Sequence, residues 1–136
     1  MKSYLLFSCL LLFVMQQAVA QNIRFESGAW KDVLQKADSS HKIVFVDIYA
    51  VWCGPCKAMA KKVFTQTAVA NQFNEHFISY MADAEKGEGV ALAKKYTVTS
   101  FPTYLFVDSK GKLLHRVEGV RTADEFIAES NKALGK

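Results

Sequence analysis

The chain has 136 residues with a formal net charge of +4 at pH 7, and 51% of its residues are apolar while 22% are charged. This length leaves room for one hydrophobic core rather than two, and the composition is that of a folded protein, which excludes a largely disordered chain. The lysines are spread along the sequence without a dense run, so the charge does not indicate binding to nucleic acid or to a lipid surface.

The N-terminus differs from the rest of the sequence. An almost unbroken apolar run from Leu5 to Val14 is followed by Ala18-Val19-Ala20, a spacing of small residues typical of signal peptidase sites. We predict a signal peptide over residues 1–20, cleaved after Ala20, and an exported domain over residues 21–136, with the periplasm as the best-fitting compartment. The alternative is an uncleaved membrane anchor, but the apolar run is shorter than the roughly 20 residues of a spanning helix. We therefore favour cleavage and expect no stable membrane insertion afterwards. A lipoprotein signal at Cys9 fits less well, because the apolar run continues past it.

The first half of the mature sequence predicts helix, strand and helix. Ser27 is placed to cap a helix whose apolar positions from Trp30 to Ala37 share one face. The run from Ile43 to Ala50 is apolar and rich in β-branched and aromatic residues, which is typical of a central strand covered on both faces. Helical composition resumes after Cys56 and continues to about Glu75.

The second half predicts a strand, a helix, a hairpin and a last helix. Phe77 to Ala82 reads as a strand and Val90 to Tyr96 as a short helix. A hairpin is predicted over residues 103–117, with its turn at Asp108 to Gly111. The last helix opens at Thr122 with the Thr-x-x-Glu form of a capping box. This alternation of elements favours a single α/β layer structure.

Two cysteines remain in the mature sequence, Cys53 and Cys56, and they lie where the strand passes into the helix. A disulfide across Gly54 and Pro55 closes a very short loop and stabilises little, which favours a bridge that is made and broken. At a helix N-terminus, unpaired N–H groups and the helix dipole favour the thiolate of the first cysteine. We expect Cys53 to be the exposed nucleophile and Cys56 to be the more covered, resolving cysteine.

The same Cys-x-x-Cys spacing also occurs in zinc sites and at c-type haem attachment sites. A structural zinc usually takes about four Cys or His ligands, whereas the three histidines here are scattered singly, at His41, His76 and His115. Haem attachment needs a histidine directly after the second cysteine, where this chain has Lys57. Redox chemistry is therefore favoured, and we expect neither a metal nor another cofactor.

Asp47 is a lone carboxylate in the middle of the predicted central strand. Burial disfavours the charged form of a carboxyl group, so its pKa should be raised, which makes it a candidate acid or base near neutral pH. The alternative is a hydrogen-bonded aspartate with a structural role.

The string Val51-Trp52-Cys53-Gly54-Pro55-Cys56-Lys57 resembles the thioredoxin family, and the resemblance extends over nearly the whole mature chain. It implies an α/β thioredoxin fold with a central mixed four- to five-stranded sheet flanked by helices. Phe101-Pro102-Thr103 resembles the family's cis-proline loop, which lies across from the disulfide. The resemblance implies dithiol-disulfide exchange with protein substrates, and the residues it assigns to substrate binding are Trp52, Gly54, Pro55, Phe101, Pro102 and Gly119.

The resemblance also assigns a role to Asp47. In this family an aspartate at the matching strand position helps to deprotonate the second cysteine, so Asp47 is expected to act on Cys56 as a general acid or base. Two residues depart from the family pattern. Ser79 stands where a lysine often pairs with that aspartate, and Phe101 precedes the proline where isoleucine or threonine is common.

The direction of electron flow follows from the residues between the cysteines. Strong oxidants of this fold carry a histidine there and reach about −120 mV, against about −270 mV for thioredoxin, whereas Gly54-Pro55 offers no cation. We therefore predict a monomeric reductase of oxidised protein substrates, kept reduced by a membrane-embedded electron donor. The alternatives are an oxidase or disulfide isomerase in the same compartment and, in another class, a binding module that recruits clients through the Pro102 groove without turnover.

Overall fold

The structure is a computed structural model and describes residues 22–136, so the predicted signal peptide over residues 1–20 lies outside the described part. This part of the chain alternates between helices and strands, as expected. Its elements are β1 (Phe25–Glu26), α1 (Trp30–Ser40), β2 (Ile43–Tyr49), α2 (Gly54–Lys62), α3 (Thr67–His76), β3 (Phe77–Asp83), α4 (Glu88–Lys95), β4 (Thr103–Val107), β5 (Leu113–Glu118) and α5 (Ala123–Ala133). Among these helices, none combines the length and apolar character needed to cross a bilayer.

The strands form one five-stranded sheet in the order β1-β3-β2-β4-β5. The central strand β2 runs parallel to β3 and antiparallel to β4. β1 is parallel to β3, and β5 is antiparallel to β4, as the predicted hairpin requires. The expected mixed sheet is confirmed. The central place of β2 also explains its composition, because a strand with a neighbour on each side and helices over both faces has no solvent-facing positions.

Side chains alternate across β2 and supply two cores. Val44, Val46 and Ile48 face α1 and α4. Phe45 faces the other side, where α2, α3 and α5 enclose a cluster of aromatic rings. In that cluster the ring of Phe73 stacks on Phe126 at a centroid distance of 4.7 Å. Asp47 follows Phe45 at the two-residue period of a strand, so it projects toward the same aromatic side.

The start of α1 differs from the sequence prediction. Ala29 rather than Ser27 is the N-cap, and no side chain of α1's own N-terminus caps it. Instead, the backbone N–H of Trp30 donates to the carboxylate of Glu88 at 2.7 Å, which comes from α4. A tertiary contact therefore replaces the expected local cap. The two-residue strand β1 was also not predicted, because Phe25–Glu26 is too short to show a period.

The N-terminus of α5 agrees with the prediction. The Thr122 hydroxyl accepts from the backbone N–H of Glu125, and the Glu125 carboxylate accepts from the backbone N–H of Thr122 at 2.8 Å. Both bonds of the capping box are present, so two of the unpaired donors at this helix end are satisfied.

Candidate active site

The cysteine pair lies at the junction between β2 and α2, as predicted. Cys53 is the N-cap residue of α2, and its sulfur accepts a hydrogen bond from the backbone N–H of Cys56 at 3.1 Å. Pro55 occupies the first turn of α2, where backbone N–H groups have no partner within the helix, so its lack of an N–H costs no hydrogen bond. Cys53 and Cys56 are joined by a disulfide. This arrangement favours negative charge on the Cys53 sulfur, because the N–H donor and the helix dipole both point at it.

The exposure of the cysteines differs from the prediction. Cys53 is 3% exposed and Cys56 is 7% exposed, so Cys53 is not the more exposed of the two. The disulfide holds both side chains in a small apolar cluster with Ala50, against which Tyr49 and Phe101 pack. The expectation of an exposed first sulfur and a covered second one is therefore wrong for the disulfide-bonded form.

The predicted substrate-binding residues are linked by direct contacts around the disulfide. Trp52 is 66% exposed, and its ring meets that of Phe101 edge-on at a centroid distance of 5.9 Å. The Phe101–Pro102 peptide bond is cis, as the resemblance implies. The backbone N–H of Gly119 donates to the Pro102 carbonyl at 2.9 Å, with φ at 80°, a value glycine adopts without strain. Gly54 and Pro55 are exposed between the cysteines.

Asp47 is buried behind the cysteine pair. Its side chain is 2% exposed, and desolvation raises the pKa of Asp47 to about 7. A pocket of about 270 Å³ joins Asp47 to Cys56 and Lys57. The other lining residues are mainly apolar, and they are Tyr49, Ala50, Val51, Ala60 and Met81. The predicted carboxyl group and the second cysteine therefore share one pocket.

The neighbouring strand β3 supplies no cation to Asp47. Met81 is the register partner of Asp47, whereas Ser79 lies opposite Phe45. The side chain of Ser79 is 2% exposed, and its hydroxyl has no hydrogen-bond partner within residues 22–136. Ser79 is too short to take the place of a lysine that reaches the carboxyl group from that position.

Two residues near the site were not identified from the sequence. The indole N–H of Trp52 donates to the carboxylate of Glu85, in the loop after β3. Tyr104 on β4 is the antiparallel register partner of Asp47. Local patterns give no signal for either contact, because each joins residues that are more than thirty positions apart in the chain.

Residues 22–136 contain no group of three or more His, Cys, Asp or Glu side chains placed to hold a metal ion.

Comparisons with known proteins agree with this geometry. The curated relatives include the thiol:disulfide interchange protein DsbD of Yersinia pestis, 34% identical over 117 residues that cover 82% of this chain and 20% of the relative. They also include a protein disulfide-isomerase of Zea mays, 28% identical over 76% of this chain and 20% of the relative. The chain thus spans about a fifth of the length of these relatives.

Solved structures match over nearly their full length. The solution structure of a provisionally named disulphide-isomerase from Bacteroides thetaiotaomicron is 40% identical, with a TM-score of 0.76, covering 85% of this chain and 95% of that one. The oxidised C-terminal domain of DsbD from Neisseria meningitidis is 30% identical, with a TM-score of 0.66, covering 82% of this chain and 98% of that one.

The family model of the thioredoxin-like domain matches residues 30–134, which is most of the chain and includes the cysteine pair, Asp47 and the Pro102 loop. The five-stranded mixed sheet with helices on both faces is the thioredoxin fold. The chain therefore belongs to the thioredoxin-like domain family.

Proposed function

We propose that this protein is an exported thiol-disulfide oxidoreductase that reduces disulfides in protein substrates. The observation that carries the proposal is the Cys53–Cys56 disulfide at the start of α2, with the Cys53 sulfur accepting the Cys56 N–H at 3.1 Å. A hydrogen bond to sulfur at a helix N-terminus stabilises the thiolate, which is the reactive form in exchange. The thiol-disulfide relatives from bacteria support the same chemistry.

The reaction begins with the reduced protein. The Cys53 thiolate attacks one sulfur of a substrate disulfide, forms a mixed disulfide and releases the other substrate sulfur as a thiolate, which takes up a proton. Cys56 then loses its proton and attacks Cys53, which re-forms the Cys53–Cys56 disulfide and frees the second substrate thiol. Two electrons pass from the protein to the substrate in each cycle, so a donor must reduce the Cys53–Cys56 disulfide again.

Asp47 acts in the second step as the group that takes the Cys56 proton. The shared pocket supports this role, because it joins Asp47 to Cys56 across a space of about 270 Å³. A pKa of about 7 also suits the role, since a base is most effective when its pKa lies near the working pH. The reverse reaction uses the same group as the acid that returns the proton.

The substrate lies across the exposed Trp52, the Gly54–Pro55 turn and the Pro102 loop. Trp52 presents apolar surface beside the disulfide. Val51, which precedes it, is 56% exposed, and Val120, which follows the Gly119 that is hydrogen-bonded to the Pro102 loop, is 54% exposed. Large exposed apolar side chains of this kind mark interaction surfaces when they cluster. We expect an extended protein segment with apolar side chains next to its cysteine to bind here.

The direction of electron flow is part of the proposal. Gly54 and Pro55 place no cation between the cysteines, so the reduced form lacks the extra stabilisation of strong oxidants. A reductase in an oxidising compartment needs a supply of electrons, and a membrane-embedded donor fits that need. The proposal includes cleavage of the leader after Ala20 and action in the periplasm.

Disulfide isomerisation is the second candidate function. It is favoured by the names of two relatives, the maize protein disulfide-isomerase and the 40% identical structure from Bacteroides thetaiotaomicron. An isomerase uses the same first step, but the substrate's own thiol resolves the mixed disulfide before Cys56 does. The two functions therefore differ in whether Cys56 is needed for turnover.

The test uses the mature chain and its two cysteine variants. The wild type should reduce insulin disulfides with a chemical donor, and one reduced protein should yield two substrate thiols in a single turnover. Cys56→Ser should stop after the first step and accumulate a mixed disulfide, while Cys53→Ser should form none. Full turnover by Cys56→Ser on a scrambled substrate would favour isomerisation, and client binding by Cys53→Ser with unchanged biological activity would favour a binding module.

A further inference from the structure

Tyr104 on β4 is a buried tyrosine that the proposed exchange reaction does not yet use. It is 0% exposed, and its ring is enclosed by Phe45, Phe64 and Phe126 at centroid distances of 5.8, 6.0 and 5.0 Å. A phenylalanine would fill the same aromatic space. The hydroxyl group is therefore the feature that needs an explanation, because burying it without a hydrogen bond destabilises the fold.

The hydroxyl of Tyr104 and one carboxylate oxygen of Asp47 share an unusual property. Both atoms are buried, and neither has a hydrogen-bond partner within residues 22–136. Tyr104 and Asp47 are register partners across the antiparallel pair β2–β4, so their side chains leave the same face of the sheet side by side. The Cβ atoms of such pairs lie about 4.5–5.5 Å apart. An unpaired donor and an unpaired acceptor thus belong to neighbouring residues on one face of the sheet, without a direct hydrogen bond between them in the present structure.

The protonation states of Tyr104 and Asp47 favour a hydrogen bond from the Tyr104 hydroxyl to the Asp47 carboxylate. Burial raises the pKa of Tyr104, and the negative charge of Asp47 raises it further, so the phenol keeps its proton and remains a donor. On β3 the register partner of Asp47 is Met81, which carries a thioether, and Ser79 is the partner of Phe45. The neighbouring strand on the other side, β4, therefore offers a neutral donor on the residue directly opposite Asp47.

We infer that Tyr104 is a positioning residue for Asp47: its hydroxyl donates a hydrogen bond to the Asp47 carboxylate, directly or over one water, when Asp47 ionises to take the Cys56 proton. This inference rests on the proposed function for its use in catalysis. Formation of the hydrogen bond on ionisation of Asp47 requires no substrate, so it can be tested in the folded protein alone. The hydrogen bond from Tyr104 on β4 would stabilise the Asp47 carboxylate, as a cation on β3 would otherwise do.

The surrounding groups define what else acts on Asp47. Tyr49 lies on the same strand, and the pKa of Tyr49 is raised by burial and by the charges of Asp83 and Asp47. The positive charge of Arg121 opposes the rise in the pKa of Tyr104. The titratable and charged groups around the carboxyl are Tyr49 from β2, Tyr104 from β4, and Cys56 and Lys57 from α2.

The test measures the titration of Asp47 in the oxidised protein without substrate, by the ¹³C chemical shift of its carboxyl carbon. A hydrogen bond to the charged form lowers a carboxyl pKa, so Tyr104→Phe should move the midpoint upward by about one pH unit. Tyr96→Phe is the matched control. Tyr96 is also buried, but its hydroxyl donates to the Gly111 carbonyl at 2.6 Å in the core on the other face of the sheet, so its removal should leave the midpoint in place. An unchanged or lowered midpoint in Tyr104→Phe would overturn the inference.

A second measurement keeps the test decisive if Tyr104→Phe folds poorly. In the wild type, the ¹³Cζ resonance of Tyr104 should shift with the same midpoint as the Asp47 carboxyl, while that of Tyr96 should not. A Tyr104 resonance that does not shift as Asp47 titrates would refute the hydrogen bond between Tyr104 and Asp47. Neither measurement depends on enzymatic activity. Both would therefore still test the hydrogen bond if the proposed reductase function proved wrong.

The catalytic consequence is tested in reduced protein. A rise of one unit in the pKa of Asp47 lowers its ionised fraction at neutral pH by at most about tenfold, so the resolution step of Tyr104→Phe should slow by up to that factor. The same change in an Asp47→Asn background should have no effect on the pH profile. An equal slowing in both backgrounds would assign Tyr104 to packing alone.

Discussion

Replacing Asp47 with asparagine tests the burial of the carboxyl group through the stability of the oxidised protein. The pKa of Asp47 is about 7 in the fold against an ordinary value of 3.8. Each pKa unit corresponds to 1.36 kcal/mol, so the difference of about three units means that ionised Asp47 destabilises the folded state by about 4 kcal/mol.

The sign of the pH dependence follows from proton binding. Well below pH 3.8 the carboxyl is protonated in both folded and unfolded chains, so its titration does not change the stability there. As the pH rises toward 7 and beyond, the unfolded chain releases the proton first, so the contribution of the neutral carboxyl to stability is progressively lost. Asparagine stays neutral throughout. The free energy of unfolding of Asp47→Asn minus that of the wild type should therefore grow by about 4 kcal/mol between pH 4 and pH 9.

Urea unfolding of both proteins at a series of pH values measures this difference. Subtracting the two curves removes the titration of all other groups, and a constant offset from placing an amide in the core does not affect the slope. Asp32→Asn is the control for removing an exposed carboxyl, since Asp32 lies on the surface in the first turn of α1, where a negative charge contributes only about 0.3–1 kcal/mol. A difference between Asp47→Asn and wild type that stays constant with pH would refute the account of a buried, titrating carboxyl.

Three further stability predictions concern the scaffold around the site. In Gly89→Ala the new Cβ would overlap the backbone carbonyl of Asp83, so the free energy of unfolding in urea should fall by more than ~2 kcal/mol. Gly54→Ala is the control: no atom lies within 4 Å of its new Cβ, so it should unfold near the wild-type midpoint. Thr122→Ala removes the capping box of α5 and should cost about 1 kcal/mol in the same assay, and an unchanged midpoint would count against the cap. Phe126→Ala empties a fully buried ring site and should cost about 3–5 kcal/mol, with a loss under 1 kcal/mol contradicting its central place in the core.

The fold was largely predictable because its elements carry strong local signals. The apolar run of β2 and the capping box of α5 each depend on residues that are adjacent or nearly adjacent in the sequence. The start of α1 was less predictable, because its first N–H is satisfied by Glu88 from a helix almost sixty residues later. Strand β1 has two residues and exists through its pairing with β3.

In the candidate site, too, the residues with a local sequence signal were predicted and those that depend on tertiary contacts were not. The cysteine pair and Asp47 were found because their residue types are unusual for their local setting. Tyr104 was not found, since a tyrosine in a buried strand is an ordinary core residue until the register places it opposite Asp47. The exposure of Cys53 was predicted wrongly because sequence patterns do not show how the disulfide and Phe101 pack together.

The reduction potential of the Cys53–Cys56 pair tests the proposed direction of electron flow most directly. The mature protein is equilibrated with dithiothreitol or glutathione buffers of known ratio, and the fractions of dithiol and disulfide are measured after rapid alkylation. The proposed reductase should have a potential near or below about −250 mV, which suits a protein supplied by a strong electron donor. A value near about −150 mV would contradict it and would identify the pair as a disulfide donor or isomerase.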